Sequence, residues 1–246
     1  MRRNVLVTGG AGGIGSAICV AFAQTGCNVA VHYRKSREKA ERLAGILRES
    51  YGADAVPVQA DVADSGSVRS MFDEIERQLG ALDILVNNAG IAQQKLFVDI
   101  TDDDWRSMTG TDLDGVFYCS REAVKRFMLP RHSGVILNVS SMWGQTGASC
   151  EVHYSAAKAG VIGFTKALAK ELGLSGIRVN CIAPGVVMTD MMSGFDEETL
   201  DALKEETPLG ALGTPKDIAD AAVFLCSSRA KFITGQVLGV NGGFVI

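Results

Sequence analysis

Short runs of consecutive apolar residues alternate along this chain with longer segments in which apolar residues recur every three or four positions. The runs are typical of strands buried on both faces, and the longer spacing is typical of helices that bury one face. The pattern predicts strands at 4–8, 29–33, 55–60, 82–86, 135–140, 177–183 and 236–240. Between them it predicts helices ending near 24 and 50, one starting at 65, and others at 102–128, 153–172 and 216–226. Asp102 is expected to cap the helical segment that runs to 128.

Seven strands that alternate with helices indicate an α/β fold of the Rossmann type, a doubly wound parallel sheet flanked by helices. The chain has 246 residues, of which 47% are hydrophobic, and this is enough for one well-buried core. We therefore predict a single domain over 1–246. In such sheets ligands bind beyond the carboxyl ends of the strands, and the polar motifs described below each follow a predicted strand.

Composition and charge narrow the class of protein further. The net charge of −4 gives no general affinity for nucleic acid. The six cysteines are scattered without a CxxC pair, so neither a disulfide framework nor a metal site is expected, and a reducing cytoplasm suits them. The apolar run after the basic start is too short for a signal peptide, and no later run is long enough to span a membrane.

A glycine-rich turn, residues 8–15 (TGGAGGIG), joins the first predicted strand to a helix. Glycines let the backbone approach a pyrophosphate closely, and the helix N-terminus favours its negative charge. The alternative is a tight turn that binds nothing, but the strand before it and the helix after it favour a nucleotide site. The predicted cofactor-binding residues here are Gly9, Gly12, Gly13, Ile14 and Gly15.

The end of the second predicted strand bears on which dinucleotide is bound. NAD-specific sites place an acidic residue about 20 positions after the glycines, whereas this chain has Arg34 and Lys35 there. A guanidinium binds phosphate with two parallel hydrogen bonds, so Arg34 favours the 2′-phosphate of NADP over NAD. The alternative is a basic helix start without a ligand. At the end of the third strand, Asp61, followed by Val62, could reach the adenine amino group.

A tyrosine and a lysine spaced four residues apart provide the candidate chemistry. Tyr154 and Lys158 lie on one face of a predicted helix. A phenol is a poor acid at neutral pH, but a neighbouring lysine cation favours the phenolate. Ser141, at the end of the fifth strand, could hydrogen-bond the oxygen that Tyr154 protonates. The alternative is an ordinary helix with a solvated lysine.

Together these motifs resemble those of the short-chain dehydrogenase/reductases over essentially the whole chain. The matching residues are Thr8-Gly9, Gly13-Ile14-Gly15, Asn87-Asn88-Ala89-Gly90, Ser141, Tyr154, Lys158, Pro184-Gly185 and Thr189. The resemblance implies a Rossmann fold, usually a homotetramer, in which NADPH donates a hydride to a ketone. It implies that Tyr154 is the general acid, that Lys158 tunes it and holds the nicotinamide ribose, and that Ser141 orients the carbonyl.

The same resemblance assigns the remaining cofactor contacts. It implies that Asn88 and Val187 lie along the cofactor and that Thr189 lies near the carboxamide. Ala89, Gly90, Pro184 and Gly185 complete the predicted cofactor-binding set.

One position departs from the family pattern. Asp112 stands where the family usually has a catalytic asparagine that helps to hold a water leading to the lysine. Asp112 could accept a hydrogen bond from that water or pair with Lys158, and we include it among the candidate catalytic residues. Its negative charge would oppose phenolate formation. The alternative is that aspartate acts there as a simple substitute for asparagine.

Two subgroups suggest different ketone substrates. The chain resembles the 3-oxoacyl-[acyl-carrier-protein] reductases, in which exposed basic residues beside the active-site mouth bind the carrier protein. Arg131 is expected near one such position, but Ser175 replaces a frequent arginine. The segment from Ser141 to Tyr154 also resembles reductases that complete the 5-aminopentanol modification of elongation factor P.

In that second interpretation Glu151 pairs with the ammonium group of the substrate and Trp143 offers it an aromatic face. The alternative is a solvated acid and a packing tryptophan, and we expect His153 to be structural. The segment 188–208, with Met191 and Met192, is predicted to form a lid over the substrate, with a plain surface helix pair as the alternative. A hypothesis of another class is a catalytically idle NADP-sensing or scaffold protein.

Overall fold

The computed structural model describes residues 2–189, 194 and 196–246. In this part seven strands form one parallel sheet in the order β3-β2-β1-β4-β5-β6-β7. They are β1 (Asn4–Val7), β2 (Asn28–Tyr33), β3 (Ala55–Gln59), β4 (Ile84–Asn87), β5 (Gly134–Val139), β6 (Ile177–Pro184) and β7 (Val237–Val240). The predicted doubly wound sheet is confirmed, and its strand order reverses between β1 and β4.

Helices on both faces of the sheet connect these strands. They are α1 (Gly13–Gln24), α2 (Arg37–Tyr51), α3 (Ser65–Leu79), α4 (Asp102–Thr109), α5 (Gly115–Ala123), α6 (Leu129–Arg131), α7 (Trp143–Thr146), α8 (Val152–Leu172), α9 (Glu197–Glu206) and α10 (Pro215–Cys226). Most boundaries lie within one or two residues of the predicted ones. The apolar periodicity therefore located the elements well.

The long helical segment from α4 to α6 differs from its prediction at the N-terminus. Asp102, expected to cap it, is already helical, and Thr101 is the N-cap. Thr101 Oγ1 accepts a hydrogen bond from the Asp104 N–H (3.1 Å), and the Asp104 carboxylate accepts one from the Thr101 N–H (2.9 Å). This reciprocal capping box satisfies two backbone donors, which a cap at Asp102 would leave unpaired.

Two π-helical turns interrupt the same segment, at Gly110–Asp114 and Val124–Met128. A π-helical turn inserts one extra residue per turn and so changes the direction in which the following side chains point. The first of these turns carries Asp112, whose side chain is fully buried. The departure from regular helix therefore coincides with a candidate catalytic residue.

The core lies in two layers, one on each face of the sheet. Val5 and Val7 pack into the layer with α1, α2 and α10, whereas Leu6 packs into the layer with α3, α5 and α8. All three side chains are fully buried because β1 is central and covered on both faces. This explains why β1 has consecutive apolar residues rather than an alternating pattern.

Arg131 lies at the amino ends of the strands, whereas the candidate site lies at their carboxyl ends. Its Nη1 donates to Asp83 Oδ1 (2.9 Å) and its Nε to the Phe127 carbonyl (2.8 Å). Asp83 directly precedes β4, so this contact is at the amino end of the strands, whereas Ser141 and Asn88 follow carboxyl ends. Within one chain the expectation that Arg131 lies beside the active-site mouth is wrong, because its guanidinium holds α6 to the start of β4.

Two further features concern membranes and metal ions. Of the helices in the described part of the chain, none combines the length and apolar character needed to cross a membrane. Among the residues that the structure describes, no group of three or more His, Cys, Asp or Glu side chains is arranged to hold a metal ion.

Candidate active site

The turns that follow β1 and β4 are joined by side-chain hydrogen bonds. Thr8 Oγ1 accepts from the N–H groups of Asn88 (2.9 Å) and Ala89 (3.0 Å). In return, Asn88 Nδ2 donates to the carbonyls of Thr8 (2.9 Å) and Gly9 (3.4 Å). Asn88 thus positions the glycine-rich turn. The sequence did not predict that Thr8 joins the two turns. Its position between a buried strand and a glycine was a signal that could have indicated this role.

The glycine-rich turn leaves its helix N-terminus open. Gly12 precedes α1 in extended conformation and has no side chain with which to cap the helix. At Gly15 a methyl group would come within 2.2 Å of the Gly9 carbonyl oxygen, so the helix start packs directly on the turn. Ile14 is half-buried and packs against the core layer that contains α1, α2 and α10. Backbone N–H groups at an open helix N-terminus bind phosphate well, so these residues fit the pyrophosphate of a dinucleotide.

The segment after β6 returns to this turn. The Gly185 N–H donates to the Val240 carbonyl (3.0 Å), and Val187 is buried and paired with Gly213. Thr189 then lies beside Gly13, where a methyl group on the glycine would meet the threonine side chain at 3.4 Å. Predicted cofactor residues from distant parts of the sequence, including those after Pro184, are thus brought together.

The two residues predicted at the adenine end also lie side by side. Arg34 Nη1 is 3.9 Å from Asp61 Oδ2, and each side chain is 45% exposed. Asp61 Oδ1 accepts from the Ala63 N–H (3.0 Å). Val62, in contrast, is buried against Gly115, so its side chain belongs to the core. The guanidinium of Arg34 is therefore weakly held and open to solvent.

Lys158 and Asp112 form a buried ion pair at the other end of the site. Lys158 Nζ is 3.1 Å from Asp112 Oδ2, and the two side chains are 5% and 0% exposed. Lys158 also donates to the Val139 carbonyl (3.1 Å). Burial acts to lower the pKa of Lys158, but the Asp112 carboxylate and, next, Tyr154 outweigh it, so this pKa lies above its ordinary value. Lys158 is consequently a fixed cation.

The Asp112 carboxylate also holds the turn after β4. Its Oδ1 accepts from the Ile91 N–H (2.9 Å). A methyl group on Gly90 would lie 2.7 Å from Asp112 Oδ2 and 3.2 Å from Lys158 Nζ. Gly90, predicted as a cofactor residue, is thus required for the close packing of this pair. Of the two interpretations of Asp112, the geometry favours a direct pairing with Lys158.

Tyr154 lies beside Lys158, and Ser141 follows the strand end that is tied to α8. Lys158 Nζ is 5.6 Å from the centroid of the Tyr154 ring. Ser140 Oγ donates to the Lys158 carbonyl (2.8 Å) and so ties the end of β5 to α8. Ser141, the next residue, is buried, and its Oγ accepts from the Trp143 N–H (3.1 Å). Ser140 was not predicted, because a serine at the end of an apolar strand carries no local signal of a contact with α8.

The wall between Ser141 and Tyr154 contains both residues considered for an amine substrate. Trp143 packs edge-on against Phe244, with ring centroids 5.7 Å apart and an interplanar angle of 87°. Glu151 Oε1 accepts from the side-chain amide of Gln94 (3.3 Å). The packing interpretation of Trp143 is thus favoured, and Phe244, near the C-terminus, had no local signal that would have indicated it.

His153, adjacent to Tyr154, is fully buried. Its Nε2 is 2.9 Å from Gln93 Oε1, and the Gln93 amide nitrogen donates to Asp104 Oδ1 (3.0 Å). The chain of contacts links α8 to the N-terminus of α4. This supports the expectation that His153 is structural.

The predicted lid falls partly outside the described residues. This applies to 190–193 and 195, and so to Met191 and Met192. In the described part, α9 is capped by Asp196, whose Oδ1 accepts from the Thr199 N–H (2.9 Å). The lid stays a prediction.

The chain is similar to known proteins over nearly its whole length. A family model described as enoyl-(acyl carrier protein) reductase matches residues 9–245. Similar curated proteins include the 3-oxoacyl-[acyl-carrier-protein] reductase FabG of Staphylococcus aureus (strain Mu50 / ATCC 700699), 42% identical over 99% of this chain and 98% of the relative. The enzymes of the same name from Chlamydia muridarum (40%; 99% and 97%) and Aquifex aeolicus (41%; 97% and 95%) are also similar.

Proposed function

Because this chain belongs to the short-chain dehydrogenase/reductase family and is an oxidoreductase of ketone and alcohol groups, we propose that it reduces a 3-oxoacyl thioester with NADPH. The observation that carries the proposal is the buried Lys158 cation beside Tyr154, with Ser141 on the adjoining strand end. The chain matches curated relatives named 3-oxoacyl-[acyl-carrier-protein] reductase over nearly their full length. This match supports the same substrate class here.

In this proposal each side chain has a distinct role. The dinucleotide, when bound, supplies the hydride. Ser141 donates a hydrogen bond that holds the carbonyl oxygen, and Tyr154 transfers its hydroxyl proton to that oxygen. Lys158 stabilises the phenolate that remains, and Asp112 keeps Lys158 protonated and fixed. The family model's description names an enoyl reductase, but a positioned serine and phenol suit the protonation of a carbonyl oxygen.

The preference for NADPH is supported by the adenine end of the cleft. The Arg34 side chain is 45% exposed, and its guanidinium is 3.9 Å from the Asp61 carboxylate. An exposed ion pair at this long distance is weak. Its guanidinium can therefore exchange this contact for the 2′-phosphate of NADP. Gly12, Gly13 and Thr189 would line the pyrophosphate and nicotinamide parts of the same cleft.

A second candidate substrate is the 5-aminopentanone group on elongation factor P. One observation favours it: the partner of Glu151 is the neutral amide of Gln94, so the contact does not cancel the negative charge. A carboxylate three residues before Tyr154 suits a ketone that carries an ammonium group. Both candidate functions are the reduction of a ketone, and they differ in the molecule that carries the ketone.

We also propose a homotetramer, as the family resemblance implies. Three consecutive apolar side chains, Leu96, Phe97 and Val98, are 60%, 69% and 86% exposed in the single chain. Exposed apolar patches of this kind favour contact with another protein surface. Light scattering in solution tests the assembly, and a monomer would contradict it.

The test of function follows NADPH absorbance with an acetoacetyl thioester and, separately, with an amino-ketone. The proposal predicts oxidation of NADPH with the thioester, abolished by Tyr154→Phe while NADPH still binds. A Tyr154→Phe variant with full activity would refute the role of Tyr154. Turnover of the amino-ketone alone would favour the second substrate. No turnover of any carbonyl would favour the idle NADP-sensing protein.

A further inference from the structure

His32 bridges two turns that border the cofactor cleft. It lies in β2, and only 2% of its surface is exposed. Its Nδ1 is 2.8 Å from the Gly9 N–H nitrogen, and its Nε2 is 3.1 Å from the Ala60 carbonyl oxygen. Since a backbone N–H only donates, Nδ1 must be the acceptor, and the ring hydrogen is on Nε2. The neutral ring thereby satisfies both contacts.

The peptide groups on either side of Gly9 are thus held from two directions. The N–H is bound by His32, and the carbonyl accepts a longer hydrogen bond from Asn88 (3.4 Å). Gly9 itself has φ +63°, a left-handed conformation that a hydrogen bond to its N–H helps to fix. Its carbonyl oxygen also faces Gly15, where even a methyl group would collide with it. A shift of Gly9 would therefore move the first turn of α1.

We propose that His32 is a positioning residue that holds the glycine-rich turn in the shape required for dinucleotide binding. It does so through the Nδ1 contact with Gly9, with Ala60 fixing the angle of the ring. The role concerns cofactor affinity rather than proton transfer, because His32 contacts backbone groups and lies on β2, away from Tyr154 and Ser141. It depends on the family's nicotinamide cofactor but not on the proposed thioester substrate.

Two matched substitutions separate the contacts of the ring. In His32→Asn the amide oxygen takes the place of Nδ1 and keeps the Gly9 contact. In His32→Gln the amide nitrogen takes the place of Nε2 and keeps only the Ala60 contact. Both variants replace an aromatic ring by a primary amide, so they differ chiefly in which hydrogen bond survives.

The experiment measures NADPH dissociation constants by fluorescence titration, and hydrogen exchange of the peptide 5–15 without dinucleotide. We expect His32→Gln to bind NADPH about tenfold more weakly than His32→Asn, the effect of one buried hydrogen bond. We also expect faster exchange of the glycine-rich turn in His32→Gln. Equal affinities and equal exchange in the two variants would overturn the proposal.

A measurement on the unaltered protein covers the case in which His32→Gln does not fold. Nitrogen-15 spectra of the histidine rings report which nitrogen bears the hydrogen. A hydrogen on Nε2 of His32 is the expected result, and a hydrogen on Nδ1 would refute the proposal. Because neither exchange nor ring spectra need a ketone, a failure of the proposed reaction would leave these readouts unaffected.

Discussion

Two cation–carboxylate pairs lie at opposite ends of the candidate site and differ in burial. Lys158 and Asp112 are 3.1 Å apart with side chains 5% and 0% exposed, whereas Arg34 and Asp61 are 3.9 Å apart with both 45% exposed. Breaking a buried pair typically costs about 3–5 kcal/mol, but an exposed pair contributes about 0–1 kcal/mol. The first pair is therefore a permanent part of the site, and the second can exchange its carboxylate for a ligand.

His32 provides the contrasting case of a buried side chain whose hydrogen-bond partners are backbone groups. Burial lowers the pKa of His32 to about 4, and the Ala60 hydrogen bond and the Asp61 charge only partly oppose this. Lys158 is buried too, but the contact with Asp112 raises its pKa. Burial alone therefore leaves a neutral side chain in this protein, and burial beside a carboxylate leaves a charged one. Four predictions test this distinction, ordered by their effect on the free energy of unfolding.

The largest effect is expected for Lys158→Met. The substitution leaves Asp112 buried without its cation, so the free energy of unfolding should fall by about 3–5 kcal/mol. Ketone turnover should fall by about 10²–10⁴, since Tyr154 loses the charge that stabilises its phenolate. Urea denaturation and steady-state rates measure the two effects. The control is the double variant with Asp112→Asn, which should regain stability without activity; a double variant as unstable as the single one would contradict the explanation.

The second prediction concerns acid stability and His32. Unfolded histidine binds a proton below its ordinary pKa of 6.5, whereas native His32 does so only near pH 4. Between these values the unfolded state binds more protons, so stability falls as the pH is lowered from 6.5 to 4, by about 3 kcal/mol for this group.

Urea denaturation across this pH range measures the effect, and His32→Asn is the control because asparagine does not titrate. The charged group that acts on the ring is Asp61, which opposes the shift and is itself 3.9 Å from Arg34. If the unaltered protein and His32→Asn lose stability in parallel, His32 is not the group responsible.

A smaller loss is expected for Asp112→Asn, which removes the charge but retains an oxygen for the Ile91 N–H. We expect the free energy of unfolding to fall by about 1–3 kcal/mol at neutral pH. Because the native pKa of Lys158 is raised, the stability from the pair is fully present below the unfolded value of 10.5. It is lost as the pH rises through the native pKa, so the difference between the two proteins should narrow above pH 10.5.

The pH–rate profiles of the same two proteins examine catalysis separately. A shifted profile would mean that the Asp112 charge acts on the Lys158–Tyr154 pair. Superimposable profiles would mean that aspartate is only a substitute for asparagine in the reaction.

The smallest change in stability is expected for Arg34→Ser, within about 0.5 kcal/mol, because the side chain is exposed. The affinity for NADPH should nevertheless fall about 10–100-fold, the usual value of a charge-assisted contact, with NADH unaffected. Arg34→Asp should go further and shift the preference toward NADH. Calorimetric titration with both cofactors measures this, and an unchanged affinity for NADPH would exclude Arg34 as the phosphate anchor.

The local pattern of apolar and polar residues predicted those features that depend on neighbouring residues or on the order of the strands. The apolar runs located the seven strands, and the spacing of Tyr154 and Lys158 indicated one helical face. Predictions about individual surface residues were weaker. Arg131 binds Asp83 at the far edge of the sheet, and Thr101 rather than Asp102 caps α4. The cap depends on the backbone direction within one turn, which propensity does not resolve. The Arg131 contact joins residues 48 positions apart, so no local pattern specifies it.

By itself, the amino-acid sequence determined that a parallel sheet forms and that its motifs meet at the carboxyl edge of the strands. This follows because buried strands and amphipathic helices have different periods, and parallel connections place every strand end on the same side. Which partners the key side chains find was decided only by the tertiary structure. Asp112 meets Lys158 through a π-helical turn, and His32 meets Gly9 and Ala60 from a neighbouring strand. Such contacts join residues far apart in the chain, and they depend on strand register and helix rotation, which no local pattern specifies.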